Sequence, residues 1–184
     1  SVEDLVREVE RRLKTVLDED EEVLKRVEDE SRESIKENEE VLREVSERLD
    51  KVLKDVRRRG LEERLVRDLE RKITELRRKW DEDTKRAKEE HEKLTREWRK
   101  RSEELRKRIE DLLRELRERL KEGTSEEDLK RLEDRVEEEV RRAKRESDEL
   151  LKRVRRTVED DKRRLRELRE EVKDLLERIR EAEK

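Results

Sequence analysis

The sequence predicts an all-α fold: a long, nearly untwisted antiparallel bundle of three helices running up, down and up. Three observations predict it. Apolar residues recur at spacings of three and four along almost the whole chain, the mark of a single helix face. The pattern repeats every 18 residues, linking Val6, Leu24 and Leu42, and likewise Val9, Val27 and Val45. The only two glycines, Gly60 and Gly123, stand where the pattern breaks. Eighteen residues in about five turns is about 3.6 per turn, the period of a straight helix; about 3.5 would impose a left-handed supercoil and 3.67 a right-handed one.

The first helix is expected over about 2–59. Its stripe runs through Val2, Val6, Val9, Leu13 and Val16 to Val45, Leu49, Val52 and Val56, and Ser1 with Asp4 offers a capped start. The second, about 62–121, carries Val66, Leu69, Ile73, Leu76 and Trp80, and later Leu105, Ile109, Leu112 and Leu116. The third, about 125–183, carries Leu129, Leu132, Val136 and Val140, and later Leu165, Leu168, Val172, Leu176 and Ile179. Glycine just past a helix end relieves the left-handed C-cap conformation. After Gly123, Thr124 with Glu127 three residues on reads as a capping box. No cap residue follows Gly60, but the apolar stripe jumps there by roughly 120°, which a continuous helix would not do. Three helices near 60 residues, rising about 1.5 Å per residue, make a rod about 85–90 Å long. Short connections make sequential helices antiparallel neighbours. The whole chain, 1–184, reads as one domain.

Charged residues make up 64% of the 184 and hydrophobic ones 27%, with a formal net charge of −3. The signs are interleaved, often as an acid four residues before a base: Glu3/Arg7, Glu47/Lys51, Glu89/Lys93. Such pairs meet on a helix surface and add a few tenths of a kcal/mol each. Basic residues matched everywhere by acids are a solvated face, not a nucleic-acid groove with stacking aromatics. With no cysteine there is no disulfide or thiolate chemistry. No apolar run approaches the roughly 20 residues of a membrane span, and no signal-peptide or other targeting pattern marks a location. The expectation is a soluble monomer with no cofactor, nucleic-acid, membrane or protein partner.

The stripes contain polar residues, and these are informative. Core positions include Asp20, Ser31, Ser34 and Asn38 in the first helix, Thr84, His91 and Ser102 in the second, and Ser147 and Asp161 in the third. Asp83, Thr95 and Thr157 lie at the stripe's edge. In an antiparallel hairpin facing residues have a constant number sum, here about 122 for the first pair of helices and about 245 for the second. Asn38 then faces Thr84, and Thr84 faces Asp161. Ser31 faces His91 beside Val154, with Ser34 and Thr157 a turn away. Asp20 faces Ser102 beside Ala143, and Ser147 lies level with Trp98. An isolated buried polar group costs roughly 1–3 kcal/mol. Groups gathered in layers satisfy one another and specify register.

The stretch WDEDTKRAKEEHEKLTREW, residues 80–98, holds both tryptophans and the only histidine. A Ser31–His91 pair is conceivable for nucleophilic catalysis, but the register puts no carboxylate in the layer of His91, and a packed bundle leaves little room for substrate. The bundle metal motif Glu-x-x-His fails at Lys88, and zinc-protease spacing fails at Thr95. One imidazole without a second strong ligand is a poor metal site. The reading is therefore structural, with no catalytic, cofactor or metal residue. Trp80 and Trp98 fill the axis, their indole N–H groups reaching the polar layers. The alternative is a small-ligand or metal site near His91, Trp80 and Trp98.

The 18-residue layer repeat, a surface of Glu, Lys, Arg and Asp, two loop glycines and aligned polar layers together resemble computationally designed helical bundles. The resemblance covers the whole chain. It implies a single-chain three-helix bundle with buried hydrogen-bond networks, serving as a scaffold without biological activity. A more distant resemblance is to the natural spectrin-like three-helix repeat, an interaction module with shorter, heptad-based helices in tandem.

Overall fold

A computed structural model of the chain describes residues 2–183. Ser1, expected to cap the first helix, lies outside the described residues. Three helices account for nearly all of them: α1 (Val2–Arg58), α2 (Glu63–Glu122) and α3 (Glu126–Glu183). No strand occurs among the described residues. The chain is a helical bundle, as its periodicity predicts.

Both glycines have positive φ, 65° at Gly60 and 73° at Gly123. L-residues with a Cβ reach that region only at a cost, so the chain can turn there cheaply because the residue is glycine. After Gly60, α2 begins with the Glu62 carbonyl accepting from the Leu65 and Val66 N–H groups, without a side-chain cap. After Gly123 the cap falls one residue later than the sequence suggests. The Asp128 N–H donates to Ser125 Oγ at 3.3 Å, whereas the Thr124 hydroxyl lies 3.4 Å from the Ser125 carbonyl oxygen. Capping by Ser125 places Glu126, Glu127 and Asp128 in the first turn, where they favour the positive end of the helix dipole.

The packing forms two compact units, one comprising residues up to Asp29 with Lys93–Arg155, the other Glu30–Glu92 with Arg156 onward. In the first, pairs such as Glu10/Arg117 and Glu28/Arg99 run antiparallel, as do Glu115/Arg135 and Glu97/Arg153. Its core includes Leu13, Leu105, Ile109, Leu116, Leu132 and Val136. In the second, Arg57/Glu70 and Lys88/Glu39 relate α1 to α2, and Lys79/Glu171 relates α2 to α3, with the same antiparallel sense. Its core includes Leu49, Val56, Ile73, Trp80, Leu168 and Val172.

Burial along each helix shows how an 18-residue period is met. On α3, buried residues step by seven from Val136 through Ala143 to Leu150 and by four to Val154, then again by seven through Asp161 to Leu168 and by four to Val172. On α2 they step by seven from Ile73 through Trp80 to Ala87 and by four to His91, then by seven through Trp98 to Leu105 and by four to Ile109. A seven-residue seam drifts about 20° per step on a straight helix, and a four-residue step resets the phase.

Candidate functional site

In the second unit, α1 supplies Ser31 and Ser34, α2 supplies His91, and α3 supplies Asp161 and Arg164. The serines, the histidine and the aspartate are all buried, His91 being 1% and Asp161 2% exposed. His91 Nδ1 lies 3.0 Å from Ser31 Oγ, and His91 Nε2 lies 2.6 Å from Asp161 Oδ2. Ser34 Oγ is 2.7 Å from the same Oδ2, and Arg164 Nη2 is 3.0 Å from Oδ1.

These contacts assign the protons. An ionised carboxylate only accepts, so His91 must carry a hydrogen on Nε2 and Ser34 must point its hydroxyl hydrogen at Oδ2. When the ring is neutral, Nδ1 is then the acceptor, and the Ser31 hydroxyl donates to it. Asp161 thus gathers donors from α1, α2 and its own helix. Burial pushes its carboxyl up, but the hydrogen bonds from His91 and Ser34 and the charges of His91 and Arg164 outweigh burial and hold it below its ordinary value.

This carboxylate is the partner that the sequence reading leaves out of the layer of His91. The reason is geometric. Side chains on a helix lean toward its N-terminus. In an antiparallel pair both leanings add, so the tips that meet lie further along the sequence than backbone levels suggest. Asp161 was expected to bond Asn38 and Thr84. Instead its bonds go to His91, Ser34 and Arg164, and no side-chain hydrogen bond joins Asn38, Thr84 and Asp161 directly. The three do line a common cavity of about 10 Å³ with Trp80, Asp83, Ala87, Arg164 and Leu165.

Ser31, His91 and Asp161 follow the order of a nucleophile, a base and an orienting acid. Ser31 is buried, and the backbone N–H groups of the helix interiors around it are spent on carbonyls four residues back. Among the described residues no three His, Cys, Asp or Glu side chains converge as metal ligands.

The first unit holds a second cluster, centred on a residue that sequence reasoning missed. Arg101 of α2 is ion-paired with Asp20 of α1 and Glu146 of α3. Its Nη2 donates to the Ala143 carbonyl at 3.0 Å, and its guanidinium carbon stands 4.4 Å from the Trp98 ring centroid. Burial pushes the Glu146 carboxyl up, but Arg101 and Arg142 beside it more than offset this and lower it. Asp20, expected to meet Ser102, is therefore taken by the neighbouring arginine. A buried acid demands a cation, so Asp20 on the stripe was the signal that a neighbouring base such as Arg101 reaches inward.

Other expected core residues sit at the edge. Thr84, Ser102 and Ser147 are only half-buried, because each lies beside the fully buried seam and not on it; Thr157, expected at the stripe's edge, is half-buried as well. Among the described residues the Ser102 hydroxyl nevertheless has no hydrogen-bond partner, and neither does the Trp98 indole N–H, which was expected to reach a polar layer. The Trp80 indole N–H donates outward to Glu171 at 3.3 Å. Both tryptophan side chains are buried. No helix among the described residues is long and apolar enough to cross a membrane. No known protein family, curated protein or solved structure matches the chain.

Proposed function

We propose that the chain is a computationally designed, monomeric three-helix scaffold with no natural biochemical activity, whose buried polar clusters specify which residues of its helices pair. The observation that carries this reading is the Asp161 cluster. The contacts described there join α1, α2 and α3 to one another, through side chains that are all buried except Arg164, which supports a role in the fold. An apolar stripe repeating every 18 residues discriminates poorly between neighbouring registers. A slip of seven residues, about 10 Å along a helix, re-forms much of the apolar contact but separates His91 from Asp161. Buried polar groups are best attested in this role of selecting one arrangement among several.

The test uses two spin labels on cysteines introduced at Lys79 and Glu171, which face each other across α2 and α3; the chain has no other cysteine. The labelled protein should give one narrow distance. With Ser31→Ala, Ser34→Ala, His91→Leu and Asp161→Leu combined, a second population displaced by about 10 Å should appear. A single unchanged distance in that variant would remove the register role.

A further inference from the structure

We propose that the cavity between Asn38, Thr84 and Asp161 is a binding site for a single water molecule, which completes the Asp161 cluster. Its volume of about 10 Å³ is near the lower limit for one water, and it opens to solvent between half-buried Asp83 and Thr84, so a water can reach it. An ordered water needs two to four polar partners, and the lining supplies them. Asn38 is only 6% exposed, and its amide, which makes no hydrogen bond among the described residues, keeps contact with solvent. Thr84 also keeps its hydroxyl uncommitted, whereas Thr15 and Thr74 donate theirs to the carbonyl four residues back, at 2.9 and 2.8 Å. The carboxylate completes the set. Oδ2 of Asp161 already accepts from His91 and Ser34, while Oδ1 accepts from Arg164 alone and retains a lone pair.

A water in the cavity donates one hydrogen to Asp161 Oδ1 and the other to the Asn38 or Thr84 oxygen. It accepts from the remaining amide or hydroxyl hydrogen. The site is thus built for a neutral molecule that both donates and accepts. Asp83 and Asp161 in the lining oppose an anion, and Arg164, paired with Asp161, offsets one of the two carboxylates. With the water counted, the layer that the sequence aligns becomes one network joined through solvent.

Two measurements on the intact chain test this. A crystal structure that resolves ordered solvent should show one peak within hydrogen-bonding distance of Asn38, Thr84 and Asp161. In denaturant unfolding, Asn38→Leu and Thr84→Val should be coupled by roughly threefold or more in the unfolding constant, although the two side chains do not bond each other. Thr84→Val preserves shape, so the cycle does not depend on a damaged fold. A direct bond from Asn38 to Thr84 or Asp161 that closes the cavity overturns the proposal. So does a metal ion at the site, or additivity of the two substitutions.

Discussion

Replacing Asp161 with leucine removes the acceptor on which the cluster in the second unit converges. The His91 Nε2–H and the Ser34 hydroxyl, both buried, lose their partner. Arg164 is 31% exposed and can turn to water. Two stranded groups at roughly 1–3 kcal/mol each give a loss of about 2–6 kcal/mol. The buried leucine side chain returns about 1.5–3 kcal/mol, leaving a net destabilisation of about 2 kcal/mol. The combined variant Ser31→Ala, Ser34→Ala, His91→Leu and Asp161→Leu strands no donor, so it should be as stable as the parent or more so. Guanidinium unfolding at neutral pH, followed by far-ultraviolet circular dichroism, reads both. If Asp161→Leu unfolded no earlier than the parent, or the fourfold variant unfolded earlier than the single one, the cluster would not be a coupled unit.

The remaining predictions concern charge and turns. Because the Asp161 carboxyl is held below its ordinary value of 3.8, its contribution is fully present above that pH and is lost as pH falls through the lower, folded value. In urea titrations below pH 3.8 the parent should therefore lose stability more steeply than Asp161→Asn, and parallel curves would count against the assignment. Arg101→Met leaves Asp20 buried without its cation and should cost about 3–5 kcal/mol. Arg101→Lys should recover only part, since a compact ammonium lacks the spread, planar donors that reach Asp20, Glu146 and the Ala143 carbonyl and does not stack on Trp98 as a guanidinium does; equal stability of the lysine variant and the parent would contradict this. A Cβ at Gly60 or Gly123 meets open space, so alanine at either should cost only the left-handed backbone penalty, about 1–2 kcal/mol. Ser125→Ala should cost about 1 kcal/mol and Thr124→Ala nothing measurable in thermal melts, an order that the reversed cap assignment would invert.

What the sequence made legible follows from what periodicity encodes. The three helices and both turns are written in apolar spacing and two glycines, and the observed ends at Arg58, Glu63, Glu122 and Glu126 lie within a residue or so of those expected. The burial of His91, Ser31, Ser34, Asn38, Asp20 and Asp161 was also legible, because each stands on the stripe. Partnership was not. Number sums locate backbone levels, whereas hydrogen bonds are made by side-chain tips that lean along the helix. Ser31 is short and its pairing with His91 survives that approximation, while the His91–Asp161 pairing does not. Arg101 escaped because a long side chain anchored outside the stripe can carry its charged end inward, and hydrophobic patterning cannot register that reach.

The His91 ring is held between α1 and α3 by a hydrogen on Nε2 given to Asp161. Ring-nitrogen NMR of the 15N-labelled protein, whose single histidine makes assignment unambiguous, tests it directly. The spectrum should show a proton on Nε2 that exchanges slowly with solvent and is lost in Asp161→Leu. A ring protonated only on Nδ1, or an Nε2 proton indifferent to the loss of Asp161, would contradict it.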